Sequence, residues 1–407
     1  MGLNAWEDVM EDFKNISRRT VLRAGAVVAA GVGGLVPTRF AIGNTAKVKI
    51  GFLLPYSGTY AALGEAITNG FKLALEERGG KLGGREVQFI AVDDESNPAK
   101  GPENTNKLVT GENVDFVVGP VHSGVAMGMV KVVRETGTIA IIANAGAGAA
   151  TGPLCAPNIF RTSFTNWQTA YPMAKVAMER GMKNVVTMSW KYAAGEEAVA
   201  GFEQGFTKAG GKIAKQILVP FPQEEFQANL TEIAALKPDG VFVFFAGSGA
   251  LKFVKDYAAA GLKSIPLMGP GFLTDGVLKE QGAAAEGVLT TLHYADALDT
   301  PENKSFRAAY RKAFSKDADV YAVQGYDSAQ LLFQGMAEVK GDTAAKANLI
   351  AAMEKAVIKS PRGTFTLSKA HNPVQDIYLR QVKGGQEVVV GVADKALADP
   401  ATGCKMG

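Results

Sequence analysis

The chain has 407 residues, long enough for two or three domains. Hydrophobic residues make up 47% and charged residues 20%, which excludes a disordered chain and leaves apolar surface for more than one core. Lys and Arg total 43 against 40 Asp and Glu, with no basic block, which argues against a nucleic-acid binder; one short apolar stretch near the N-terminus excludes a multi-span transporter.

Residues 1–46 read as an export signal. Ser17-Arg18-Arg19-Thr20-Val21-Leu22-Arg23 precedes Ala24–Val36, a run of Ala, Val, Gly and Leu too short to cross the ~30 Å of a bilayer core. The pattern resembles the twin-arginine signal S-R-R-x-Φ-L-K with Arg23 in place of the lysine. The alternative is an arginine pair inside an ordinary secretory signal. Cleavage is expected near Ala41-Ile42-Gly43, with no cysteine there for a lipid anchor. The mature chain is expected to be soluble and outside the cytoplasmic membrane. In such an oxidising compartment Cys155 and Cys404 can pair, tying the C-terminal tail to the middle of the chain; the alternative is two buried thiols. No metal site is expected, since none of the three His stands at ligand spacing with either Cys.

Strand and helix then alternate. Val48–Leu54 is an apolar strand stopped by Pro55, followed by a helix over 61–77, a strand over 87–92, a helix over 98–110, a strand over 115–119, a helix to Glu135 and a strand over 139–143. After Arg161 the alternation restarts, with helices over 167–180, 195–209, 225–236 and 250–260 and strands over 184–189, 212–219, 240–245 and 265–268. Short apolar runs between helices indicate parallel strands covered on both faces. Asp115-Phe-Val-Val-Gly-Pro-Val-His-Ser-Gly124 echoes Asp239-Gly-Val-Phe-Val-Phe-Phe-Ala-Gly-Ser-Gly249, so the fold expected is α/β with two doubly wound parallel-sheet lobes. Helices over 302–315, 320–338 and 343–356 follow, then strands over 363–367, 375–382 and 387–392. No low-complexity linker separates the lobes, so a hinge of several crossings is expected. The lobes are expected at 47–164 plus 294–372 and at 165–293 plus 373–407.

Ligands of open α/β sheets bind beyond the carboxyl ends of the strands. Four loops of small residues qualify: Pro55–Tyr60, Pro120–Gly124, Asn144–Gly148 and Ala246–Gly249. Bare backbone amides at a helix start suit a carboxylate, with Ser123 adding a hydroxyl and the amides of Ser123 and Gly124 pointing at the anion. Plain helix capping by Ser123 and Ser248 explains the same residues equally well. His122 reads as pocket lining or structural. Tyr56, Tyr60, Trp190, Tyr192 and Phe272 are candidate walls, with core packing as the alternative; Tyr192 stands out because 189–195 is a strand-to-helix loop. The chain lacks a G-x-S-x-G elbow and a P-loop, and Gly146-Ala147-Gly148 fails the dinucleotide fingerprint at Thr151. No nucleophile–base set emerges, so no enzyme and no cofactor are expected.

K-I-G-F-L-L-P-Y-S-G (49–58), Gly64 and Gly70, V-D-D (92–94), F-V-V-G-P-V-H-S-G, N-I-F-R-T (158–162), G-L-K-S-I-P-L-M-G-P (261–270) and Gly325-Tyr326-Asp327-Ser328-Ala329 stand in order behind the export signal. Together they resemble the extracytoplasmic solute-binding proteins of branched-chain amino-acid-type ABC importers, the Leu/Ile/Val-binding family of type I periplasmic binding fold, over about residues 47–395. The resemblance implies a ligand carboxylate clamped by Ser123 and by the loop Asn144–Gly148, including Ala145 and Gly146, with Tyr192 added on closure. It also implies an acidic residue after M-G-P for a ligand ammonium, and here that place is Gly271, followed by Phe272; the family's threonine falls near Gly148. A buried ammonium without a counter-ion is costly. The expected ligand is therefore a carboxylic acid without an α-ammonium, with an apolar or aromatic body, delivered in the periplasm to the permease subunits of an ABC importer by a monomeric receptor. The alternatives are an amino acid whose ammonium finds backbone carbonyls, Asp275 or Glu196, and a ligand-sensing regulator of the same fold. The ligand-contacting set expected is Tyr60, His122, Ser123, Gly124, Ala145, Gly146, Tyr192, Ser248, Gly271 and Phe272.

Overall fold

The structure, a computed structural model, describes residues 46–406. The export signal read over 1–46 lies outside the described residues, Ala46 apart. The strand–helix units run β1 (Val48–Leu54), α1 (Ala61–Glu76), β2 (Lys81–Leu82), β3 (Arg85–Asp93), α2 (Lys100–Asn106), β4 (Phe116–Val118), α3 (Ser123–Thr136), β5 (Ile139–Ile142) and β6 (Ile159–Arg161). They continue with α4 (Asn166–Glu179), β7 (Asn184–Trp190), α5 (Ala193–Lys208), β8 (Lys212–Val219), α6 (Gln227–Leu236), β9 (Gly240–Phe244), α7 (Gly247–Ala259), β10 (Leu267–Pro270) and β11 (Leu289–Leu292). The chain closes with α8 (Pro301–Phe314), α9 (Val320–Glu338), α10 (Lys346–Glu354), β12 (Val357–Ser360), β13 (Gly363–Leu367), β14 (Pro373–Lys383) and β15 (Gln386–Leu397).

Two sheets form. The first has the order β2-β3-β1-β4-β5-β6, parallel but for β2 at its edge. The second runs β8-β7-β9-β10-β11 in parallel and is extended by antiparallel β14, which also pairs with β15 and with the β12–β13 hairpin. The central strands β5 and β9 are apolar along their whole length, and β1 is so but for Lys49 near its start, because helices cover both faces. Four of the strands escape the sequence pattern, the first of them the two-residue edge strand Lys81–Leu82. Ile159–Arg161 is only three residues long, Leu289–Leu292 is rich in threonine, and Val357–Ser360 runs straight on from a helix.

Helices α1 and α9 cross at two glycines. A Cβ on Gly70 would lie 1.9 Å from the Ala322 carbonyl oxygen, and one on Gly325 would lie 1.9 Å from that of Ile67. Glycine is required there by close backbone approach, not by a turn.

Between the sheets the crossings carry a polar framework. Arg362, buried, donates to Asp327 Oδ2 at 2.9 Å, to the Thr162 carbonyl at 2.6 Å and to the Ser163 carbonyl at 3.2 Å. Gln168 Nε2 donates to the carbonyls of Pro373 and Leu397, each at 2.9 Å. These bonds tie the β6–α4 crossing to the β12–β13 turn, the start of β14 and the end of β15. A buried guanidinium needs such partners, since an unpaired one is expensive. Cys155 and Cys404 are joined in a disulfide, with their Cα atoms 5.5 Å apart. It holds the tail beyond β15 against the loop between β5 and β6.

Candidate functional site

Both sheets share one strand order. Counted along each half, it is second-first-third-fourth-fifth, in β3-β1-β4-β5-β6 and again in β8-β7-β9-β10-β11. In such a sheet the chain leaves the first and third strands in opposite directions, which opens a crevice at their carboxyl ends. The loops after β1 and β4 carry Tyr60 and Ser123; those after β7 and β9 carry Tyr192 and Ala246. The two crevices face each other around a narrow cavity of about 20 Å3, lined also by Leu63, Val121, Asn144, Gly146, Phe164, Asn166, Ala194, Phe244, Phe272 and Tyr321.

Part of the lining is polar. Ser123 Oγ, Asn166 Oδ1 and Tyr321 OH are buried and find no hydrogen-bond partner in the protein. Buried polar groups are normally paired, so three orphans around one cavity mark places for ligand atoms. His122 is the residue that caps α3: its Nδ1 accepts from the Gly124 N–H at 3.0 Å. Ser123 is thereby released from capping. Burial lowers the His122 pKa from 6.5 to about 4, and its ring stacks on Tyr192 with centroids 4.5 Å apart.

Much of the remaining wall is aromatic. Phe272 lies 4.7 Å from Phe164 and 6.2 Å from Tyr321 between ring centroids, and Phe244 closes the same side at 6.3 Å. The Tyr60 and Tyr192 hydroxyls meet at 2.8 Å across the seam between the sheets. Burial raises both phenol pKa values, so these hydroxyls stay neutral. Glu197 on α5 reaches across the seam as well: its Oε2 accepts from the Gly148 N–H at 2.9 Å and from Asn166 Nδ2 at 2.8 Å.

Tyr60, Ser123, Gly146, Tyr192 and Phe272 of the expected set lie together on the cavity. The others do not, each for a physical reason. Gly124 has given its amide to His122. Ala145 donates its N–H to the Pro120 carbonyl at 2.9 Å and offers its own carbonyl to buried Arg161. His122 sits behind the wall, against Tyr192 and Phe221. Ser248 is exposed and bonds Glu224 at 2.5 Å. Gly271 faces Arg380: a Cβ there would lie 2.0 Å from Nη2. Arg380 is buried and paired with Asp275 and Glu387, each at 2.7 Å. Asp275 is therefore committed, and Glu196 is exposed.

Sequence reasoning missed Phe164, Asn166, Phe244 and Tyr321. Two of them had a signal. Thr165 and Gln168 form a capping box that starts α4, and Asp319 caps α9, so each helix start delivers its first residues to the strand ends. Among the described residues no group of three or more His, Cys, Asp or Glu is arranged to hold a metal. No described helix is long and apolar enough to cross a membrane.

A family described as periplasmic binding proteins matches residues 47–387. The chain is 33% identical over 343 residues to Leu/Ile/Val-binding protein homolog 6 of Brucella melitensis, covering 82% of this chain and 87% of that protein. A solved solute-binding protein of an ABC transporter from R. palustris, in complex with benzoate, is 54% identical with a TM-score of 0.87, covering 88% of this chain and 100% of the other. A second, from Rhodopseudomonas palustris BisB5 in complex with 3,4-dihydroxybenzoic acid, is 32% identical with a TM-score of 0.83, covering 87% and 99%.

Proposed function

Since this chain belongs to the periplasmic binding protein family, we propose that it is the exported receptor of an ABC importer and that it takes up a small aromatic carboxylic acid without an α-ammonium. The observation that carries this reading is the pairing of an unpartnered Ser123 hydroxyl with a cavity whose lining includes no acidic residue. A carboxylate gains a charge-assisted donor from Ser123. An ammonium has no counter-ion: the position its partner would need is glycine, Arg380 fills the space above it, and Asp275 is bound to that arginine. Phe164, Phe244, Phe272 and Tyr321 suit the faces of a flat ring. The solved relatives that hold benzoate and dihydroxybenzoate support the same choice.

The work done is selective closure. Residues from both sheets line the cavity, so the full set of ligand contacts exists only when the sheets are shut together, and ligand shifts that equilibrium. The hinge lies at the crossings near 164, 293 and 372, dividing the chain into 47–164 plus 294–372 and 165–293 plus 373–407. The closed monomer presents both halves at once to the permease subunits, while the energy of ATP is spent on their cytoplasmic side. The leader before residue 47 is removed on export to the periplasm.

A thermal-shift screen tests the ligand. Benzoate and hydroxybenzoates at about 100 times Kd are expected to add roughly 2.7 kcal/mol, a rise of several degrees in Tm. Leucine or valine stabilising more than any of them overturns the reading.

A further inference from the structure

Glu197 has no part in the contacts described for the ligand, yet it touches two pieces of the site at once. It stands one turn into α5, the helix whose start delivers Tyr192 and Ala194 to the cavity. One oxygen, Oε2, accepts both the Gly148 N–H from the first sheet's loop and the Asn166 side-chain N–H from the crossing. We propose that Glu197 is the positioning residue that latches the closed form: it holds the loop Gly146–Gly148 against α5 and turns the Asn166 amide so that its oxygen faces the cavity. The inference rests on the reading of the protein as a receptor that closes on its ligand.

The orientation of Asn166 follows from charge. With Nδ2 on a carboxylate oxygen, Oδ1 must point the other way, since the flipped amide would set oxygen against oxygen. The loop is held from its other side by Arg161, which donates to the carbonyls of Ala145 and Ala147 and to Thr151 Oγ1. Arg161 thus fixes the loop from within its own half, and Glu197 is the contact that crosses the seam. Gly148 takes the place where the family's threonine is expected, and its bare amide is free to meet a protein carboxylate.

The latch also titrates. The charged groups that act on Glu197 are Arg161, which favours the carboxylate, and Asp399, which opposes it; Gly148 and Asn166 donate to it. Burial outweighs the favourable contacts and raises its pKa above 4.5 in the closed form. Opening returns the side chain to water and to an ordinary value. The closed form thus takes up a proton more readily, so the Glu197 contribution to closure is full at low pH and declines as pH rises through the raised value.

Benzoate binding is measured by calorimetry and stopped flow at pH 5.5 and pH 8 for the wild type, Glu197→Ala and Glu197→Gln. Glu197→Ala is expected to weaken binding by about tenfold or more, mainly through faster dissociation, because the half-buried Gly148 N–H and the buried Asn166 amide lose their acceptor. Glu197→Gln keeps an acceptor oxygen and is expected within about threefold of the wild type. The wild type should gain on Glu197→Gln as the pH falls to 5.5. Unchanged affinity in Glu197→Ala overturns the proposal, and so does an identical pH profile in wild type and Glu197→Gln. If Glu197→Ala does not fold, Glu197→Asp, which shortens the side chain away from Gly148 and Asn166, takes its place: weaker binding with faster dissociation upholds the proposal and unchanged affinity overturns it. Should neither benzoate nor 4-hydroxybenzoate bind the wild type, it is the ligand reading that fails. The latch is then read by amide exchange at Gly148 without ligand: faster exchange in Glu197→Gln or Glu197→Ala than in wild type upholds it, and equal exchange overturns it.

Discussion

The two sheets share a strand order and divide the labour of the site. The first contributes mainly small groups, Ser123, Asn144 and Gly146, with the single ring of Tyr60; the second contributes rings, Tyr192, Phe244 and Phe272. The contrast is sharpest at the echoed segments after β4 and β9. Each sheet's third parallel strand leads into a helix with Ser-Gly in its first turn, yet Ser123 is buried at the cavity while Ser248 is exposed on Glu224. The cause is one residue of phase. Ser123 is the first residue of its helix, behind the cap His122, whereas Ser248 is the second, behind Gly247. One step along a helix turns a side chain by about 100°. A repeated motif therefore need not repeat its function, because the helix start, and not the motif, aims the hydroxyl.

The division can be broken first where the family resemblance expects an acid. Gly271→Glu restores the missing carboxylate in sequence but not in space. Its Cβ would lie 2.0 Å from Arg380 Nη2 and 2.7 Å from Leu292 Cδ2. Overpacking and the burial of a further charge are expected to cost upwards of about 3 kcal/mol of stability, seen as a lowered denaturation midpoint, with no gain of leucine binding by calorimetry. A variant as stable as the wild type that binds leucine would show that the second sheet can still be given an amine site. On the polar side, Ser123→Ala removes a donor from a buried carboxylate. Loss of about 1–3 kcal/mol of benzoate affinity is expected, with the melting temperature of the ligand-free protein unchanged. Unaltered affinity would take the first sheet's hydroxyl out of the site.

Much of this contrast was written in the sequence, and part of it was not. Apolar runs such as Val48–Leu54 and Gly240–Phe244 announce strands covered on both faces, and the small-residue loops behind them announce where a ligand can approach backbone. Tyr60, Ser123, Gly146, Tyr192 and Phe272 follow from that rule. Phe164 and Tyr321 do not, because they come from a crossing and from a helix start that are distant in the chain and meet only through topology. Ser248 and Gly271 were misplaced for a related reason. A sequence shows that a serine or glycine follows a strand, but not the helix phase that turns Ser248 outward, nor the long-range Arg380 that backs Gly271. Arg161, Arg362 and Arg380 are all buried, and each serves the loops or crossings between the two sheets.

The seam itself is tested by a smaller change. Tyr192→Phe keeps the ring of the second sheet and deletes its bond to Tyr60, a hydroxyl pair at 2.8 Å. A loss of about 1 kcal/mol, roughly fivefold in ligand affinity, is expected, carried by faster dissociation. An effect on association alone would mean that the pair does not help to hold the closed form.

The smallest effect expected is a pH slope from His122, and its sign distinguishes it from that of Glu197. His122 belongs to the first sheet, but its ring is covered by Tyr192 and Phe221 of the second, with Tyr60 beside it. No carboxylate offsets its burial, and in the closed form its pKa falls to about 4 from 6.5. Opening exposes the ring and restores the ordinary value. Protonation then favours the open form, so the His122 contribution to closure is complete above pH 6.5 and is lost as pH falls toward 4. Between pH 7.5 and pH 6 this amounts to about a fourfold weakening of ligand binding. The slope is best measured in Glu197→Gln, where the opposing titration is gone. His122→Asn retains an acceptor for the Gly124 N–H and cannot take up a proton, so α3 stays capped while the slope should vanish. A slope that persists in that double variant would place the titrating group elsewhere on the seam, and the aromatic cover over His122 would then be packing without a part in release.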